Sequence, residues 1–275
     1  MKATNNPART NMVGKKPAQF ARLLYRVIEK NLDGDNLRHM YEQYHLAEQA
    51  DELLPFDKLF DSMFIDEKYW LNLLVFAHRP DVLGARTPII LAPYHKVESA
   101  GPVAALMMSA PSVRGFIEPM CRYQAALDPT VMMGSEVIKG GMRLTVHYDG
   151  LEGDVAQAFI YGGMHILEDV IKCMTLWEGD IKPTITVDAP QPHYHADLRN
   201  LYYSRVRWDG DQRRPGSGWS IEIPDELLDI PNFGSNPAMM ESVMGQLDGL
   251  IKMRAGWAAE GVKSGETGGP QTELV

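Results

Sequence analysis

The sequence has little of what usually gives a protein's work away. It holds two cysteines, Cys121 and Cys173, in 275 residues. Both lie in apolar helical patterns, which excludes a disulfide-stapled scaffold and predicts two buried, reduced thiols in a cytoplasmic protein. Basic residues are outnumbered, 27 against 36, for a net charge of −9. Basic doublets are confined to Lys15-Lys16 and Arg213-Arg214. A nucleic-acid grip shows a basic face or stripe, so these residues alone are not expected to hold DNA. No apolar run approaches the roughly 20 residues of a membrane span, and residues 1–17 lack the apolar stretch of a secretory signal. There is no G-x-S-x-G elbow, phosphate-binding glycine loop, HExxH or CxxC, so neither an enzyme nor a bound cofactor is expected. His193 and His195 could share a metal at i, i+2 spacing, but no third ligand is well placed, and no metal is expected.

What is present reads as an α+β protein. Residues 1–17 are polar and punctuated by prolines, which predicts a flexible N-terminus. Helices are expected from Ala18 (Leu23, Leu24, Val27, Ile28 on one face), over 36–50, from Pro55, and over 66–78, making an all-helical first part. Thr87–Pro93 (TPIILAP) is a short apolar run, read as a strand or an extended crossing segment. A small-residue helix with Pro102 in its first turn ends at Pro111. Ser112 is an apt N-cap for the next helix, which buries Val113, Phe116, Ile117, Met120 and Leu127. Pro119 is expected to kink that helix and to free the Gly115 carbonyl.

Gly140-Gly141 signals a hairpin, and Met142, Leu144, Val146 and Tyr148 alternate with Arg143, Thr145 and His147. Asp154 is expected to cap a long helix with two apolar rows. Gly162-Gly163 in its middle costs on the order of 1 kcal/mol per glycine, which predicts a close backbone contact there. Strands over 184–187, 205–208 and 219–223, a short helix over 196–203 and a last helix from Pro237 to about Lys252 complete the pattern. The resulting architecture is a helical N-terminal part packed on a small, mainly antiparallel sheet covered by the long helix. The expected divisions are a helical part over 18–130, an α+β part over 131–252, and a Gly-rich linker over 253–275.

Five stretches in order carry a resemblance: Gly101–Ala110 (GPVAALMMSA), Pro111–Leu127 (PSVRGFIEPMCRYQAAL), Met142–Tyr148 (MRLTVHY), Leu201–Trp208 (LYYSRVRW) and Ile221–Met239 (IEIPDELLDIPNFGSNPAM). Over roughly residues 20–250 the chain resembles the N-terminal, arabinose-binding-type sensor domain of AraC-type bacterial transcription regulators. It departs from the family's pattern at Pro119 and at Pro190–His195 (PQPHYH). The resemblance implies an effector-binding, homodimerising domain. Contact with DNA would run through two helix-turn-helix motifs that are not in this chain.

Methionines are dense around the first hairpin (Met107, Met108, Met120, Met132, Met133, Met142), and flexible thioethers suit a cavity for an apolar or amphipathic ligand. A few polar tips on apolar walls would orient such a ligand. The candidate ligand-binding residues are therefore Met120, Arg122, Tyr123, Arg143, His147 and Tyr148. An arginine among them would take a carboxylate bidentately. The alternatives are a stand-alone small-molecule-binding protein and an unrecognised enzyme.

Overall fold

The computed structural model describes residues 15–32, 64–95, 102–128, 131–149, 153–176, 180–210 and 218–265. The helices expected over 36–50 and from Pro55 lie outside them. In the N-terminal part, strand β1 (Lys15–Pro17) leads into helix α1 (Ala18–Asn31), and strand β2 (Phe64–Asp66) into α2 (Glu67–Ala77). β1 and β2 pair antiparallel, so this part is not purely helical and the last residues of the expected flexible N-terminus are in a strand. The helical periodicity is borne out: Leu24, Val27 and Ile28 of α1 pack against Trp70, Leu73, Leu74 and Phe76 of α2.

The TPIILAP segment is helical, not extended. It forms α3 (Thr87–Leu91) and a 3₁₀ turn over Ala92–Tyr94. Both of its prolines sit in first turns, where a missing N–H costs nothing. Thr87 is fully buried, and its hydroxyl bonds to the Ala77 and Gly84 carbonyls at 3.1 and 2.6 Å. That ties α3 to the end of α2.

Next come α4 (Pro102–Ser109) and α5 (Val113–Leu127). Ser112 caps α5 as expected, accepting from the Gly115 N–H at 3.2 Å, and the helix continues on both sides of Pro119. Strands β3 (Val131–Ile138) and β4 (Gly141–Tyr148) form the hairpin, with Gly140 at φ +82° in the turn. Helix α6 (Gly153–Thr175) starts one residue before Asp154, so that residue lies in the first turn instead of capping it. Strand β5 (Thr184–Asp188), helix α7 (His195–Leu201), strands β6 (Arg205–Trp208) and β7 (Gly218–Pro224), and helix α8 (Asp225–Leu228) follow. The last helix, α9 (Pro237–Gly265), runs well past the expected end at Lys252, into the stretch read as a linker.

The five strands lie in the order β3-β4-β7-β5-β6. Every pairing is antiparallel except β5–β6. The register sets two inward rows across the sheet. One is Met133, Val146, Trp219, Val187 and Trp208; the other is Ser135, Leu144, Ile221, Ile185 and Val206. The large apolar members of these rows pack with α5, α6 and α8 in one cluster. Met107 and Met120 are buried in it, and Met108, Met133 and Met142 lie against it.

α9 is held at its base. Val243 and Leu247 pack on Leu106 of α4 and Tyr123 of α5. Just before it, the Asn232 side chain donates to the Met108 and Ala110 carbonyls at 2.7 and 2.8 Å. The Asn236 N–H donates to the Ser109 carbonyl at 3.0 Å. The turn satisfies carbonyls left open at the end of α4 and thereby fixes where α9 begins. Cys121 is half-buried, but Cys173 is exposed. Cys173 ends an apolar row on α6 whose Val170 is fully buried, and the other row (Ile160, Leu167, Ile171, Met174) is buried throughout.

Candidate functional site

The six expected ligand-binding residues do not converge. Arg143 lies on the open face of the sheet, bonded to Glu222 at 2.6 and 3.1 Å and to Glu136 at 2.8 Å. His147 shares that face by strand alternation. Met120 is 3% exposed in the main core. Arg122 and Tyr123 come together around Asp248 of α9, at 2.9 and 3.1 Å, with the guanidinium 5.0 Å from the Tyr123 ring centre. These contacts seat α9. Tyr148 alone of the six points into the space beneath α6, and the polar groups gather there.

α6 is the element that assembles them. Phe159 links the two parts of the molecule: its ring meets Trp70 of α2 edge-on at 5.6 Å and Tyr148 of β4 at 5.6 Å. The Tyr148 hydroxyl donates to the Phe159 carbonyl at 3.0 Å and accepts from the Trp219 indole at 3.5 Å. The glycine pair explains how these rings come so close. A Cβ on Gly163 would lie 2.6 Å from the Tyr148 hydroxyl, and one on Gly162 would lie 2.9 Å from the His95 ring. A close approach was legible in the sequence, but side chains make it, not a second backbone.

From Tyr161 onward, α6 presents the Tyr161 carbonyl, His165 and Glu168 to the segment leading into β6. The Tyr202 hydroxyl donates to the Tyr161 carbonyl at 2.8 Å, and the His165 and Tyr202 rings meet edge-on at 6.1 Å. Glu168 is 2% exposed. Its carboxylate accepts the Tyr203 and Ser204 N–H groups at 2.9 and 2.5 Å, and Lys172 stands 3.6 Å away. Two backbone donors and a nearby ammonium are what make a buried carboxylate tolerable.

Burial governs the titration of this seam. It pushes the Tyr148 and Tyr202 phenols well above their usual range and Tyr161 up to about 12, against the pull of the Trp208 indole. Burial also lowers His95 to about 4, helped by nearby His165 and opposed by the Leu91 carbonyl. His95 Nδ1 donates to that carbonyl at 3.0 Å. The seam is thus aromatic and hydrogen-bonding, with its phenols and the His95 imidazole neutral near pH 7.

Within it, the Trp208 indole lies against the Tyr161 hydroxyl as its hydrogen-bond donor, and the Ser204 hydroxyl is buried without a hydrogen-bond partner among the described residues. Such a group costs about 1–3 kcal/mol unless something satisfies it. The His195 Nδ1 donates to the Pro192 carbonyl at 3.1 Å, and its ring lies edge-on to Trp208 at 6.2 Å. Among the described residues no group of three His, Cys, Asp or Glu is placed to hold a metal ion. No helix among them is long and apolar enough to cross a membrane.

No family model matches the sequence, and no curated protein matches it. The fold is similar to that in the crystal structure of the transcriptional regulator CdpR from Pseudomonas aeruginosa, with a TM-score of 0.52 and 11% identity. The match covers 74% of this chain and 59% of that one, so this chain spans less than two thirds of the regulator's length.

Proposed function

We propose that the chain is the effector-binding and dimerising part of an AraC-type transcription regulator. It binds a small apolar or amphipathic molecule beneath α6, in the cytoplasm, and acts on DNA through a helix-turn-helix part of a longer protein. The observation that carries this reading is the fold shared with part of a transcriptional regulator over 74% of the chain. The ordered sequence stretches that resemble the AraC-type sensor domain support it independently. The acidic balance agrees with a division of labour in which another domain meets the phosphates.

The seam supports binding over catalysis. General acid–base work near neutrality needs groups that titrate there. Here His95 sits at about 4 and Tyr161 at about 12. An effector that favours one arrangement of the two parts would act by population shift.

The test is thermal unfolding and light scattering of the purified chain against a library of ring-bearing apolar and amphipathic compounds. A true effector at about 100 times its Kd adds about 2.7 kcal/mol, seen as a midpoint several degrees higher, and alters self-association. A library that moves neither quantity, on a chain that does not self-associate, would sink the reading.

A further inference from the structure

The five-stranded sheet has two edges, and they are guarded unequally. β6 closes one with four residues, of which Arg205 and Arg207 are exposed. A short edge strand carrying like charges discourages a further strand. β3 closes the other with eight residues and no proline, and its register against β4 runs without a bulge from Val131 to Ile138. Glu136 is its one charged residue, and that carboxylate already accepts from Arg143 at 2.8 Å. Among the described residues β3 pairs with β4 alone. Its outer side therefore presents a row of unpaired N–H and C=O groups.

The side chains along this edge are open on both faces. Gly134 to Val137 are exposed in an unbroken run. Val137 is 80% exposed, although strand alternation turns it to the covered side with Met133 and Ser135. A Cβ added to Gly134 would meet nothing within 4 Å.

The strand's own sequence selects its partner. Two antiparallel copies of β3 about a two-fold axis keep their faces aligned only when opposed residue numbers sum to an even value. Seven residues of each copy then pair in two registers, 131–137 about Gly134 and 132–138 about Ser135. The first sets Met132 against the Glu136 carboxylate. A register about Glu136 sets two carboxylates face to face, which is destabilising. The register about Ser135 sets Met133 against Val137 on the covered side and Met132 against Ile138 on the open side. Glu136 then faces Gly134 of the second copy, whose open space leaves the bond to Arg143 undisturbed.

We propose that β3 is the self-association edge of this protein: two copies pair antiparallel about Ser135 and join their sheets into one. The edge rests on the dimerising reading above and gives that dimer its interface.

The experiment is sedimentation velocity of the full chain over a wide concentration series, which should show a monomer–dimer equilibrium. Val137→Lys places a charge against Met133 of the second copy and should weaken the dimer about tenfold or more. Phe233→Lys adds the same charge at a residue outside the sheet that is 86% exposed, and should leave the dimer unchanged. Cross-linking fixes the register in a Cys121→Ser, Cys173→Ser background, chosen because the Cys121 thiol bonds to Ser135 and Cys173 is exposed. There Ser135→Cys should join two copies through a short bis-maleimide, since the axis brings its two Cβ atoms to about 5 Å. Lys139→Cys should not, its two copies lying roughly 26 Å apart in this register.

A dimer that survives Val137→Lys, or that cross-links at 139 in place of 135, overturns the edge and leaves the dimerising reading to another surface. A chain monomeric throughout overturns the edge, and the effector reading then stands or falls on the melting midpoint alone. A dimer that cross-links at 135 but that no compound alters keeps the edge and sinks the effector reading.

Discussion

The two faces of the central sheet solve the same problem in opposite media. On the open face, Arg143 bridges Glu136 and Glu222 across three strands, with all three side chains about two-fifths or more exposed. On the covered face, Glu168 and the tyrosines of the seam make bonds of similar length in a water-poor space. Exposed pairs are screened and exchange readily with water, so they contribute little. A buried acceptor has no such substitute, and losing it strands its donors. Bond length does not reveal the difference; the medium does.

The largest effect should come from removing the buried acceptor. Glu168→Ala leaves the Tyr203 and Ser204 N–H groups unpaired and opens a cavity, and should cost about 3 kcal/mol in urea unfolding. A loss no larger than that of an exposed pair would erase the contrast between the faces.

Acid comes next. The folded state holds His95 near 4, below the ordinary 6.5 of the unfolded chain, so the unfolded state binds more protons between those values. This contribution is fully present above about pH 6.5 and is lost as pH falls towards 4, to a total of up to roughly 3 kcal/mol. His95→Gln should flatten that limb of the stability profile. An unchanged limb would mean the imidazole is not held neutral.

Smaller again is the glycine contrast. Gly162→Ala gains about 1 kcal/mol of helix propensity but drives a methyl into the His95 ring at 2.9 Å, for a net loss of about 1–2 kcal/mol. Gly245, in α9 with nothing within 4 Å of an added Cβ, should instead gain up to about 1 kcal/mol as alanine. The same substitution should change sign with its surroundings.

The smallest effect belongs to the open face. Arg143→Ala should leave the unfolding midpoint within experimental scatter and remain insensitive to added salt. A clear loss, growing at low ionic strength, would show that face to be less solvated than its exposure implies.

These contrasts also explain what could be read in advance. The Ser112 cap, the Gly-Gly hairpin and the alternation of Trp219, Ile221 and Ile223 are local signals, each carried by a few neighbouring residues, and each is present. The TPIILAP run misled because five apolar residues have no period, and its prolines fit a helical first turn as well as an extended edge. The seam was legible only at Tyr148 and in the cost of Gly162-Gly163. His95, Tyr161, Glu168, Ser204 and Trp208 come from separate stretches and meet only once the strand register sets Trp208 in the same row as Trp219. Spacing along the chain does not encode that meeting.

The turn pinned by Asn232 has a mechanical consequence. It bolts the first residues of α9 to the end of α4, and α9 is 29 residues long, about 43 Å at the usual rise. A rod of that length, held only over its first half by Val243, Leu247 and Asp248 among the described contacts, is a pointer. A tilt of about 5° at its base carries its tip about 4 Å, most of one helical turn. Strain too slight to notice beneath α6, once it reaches α4, would be written large at Gly265.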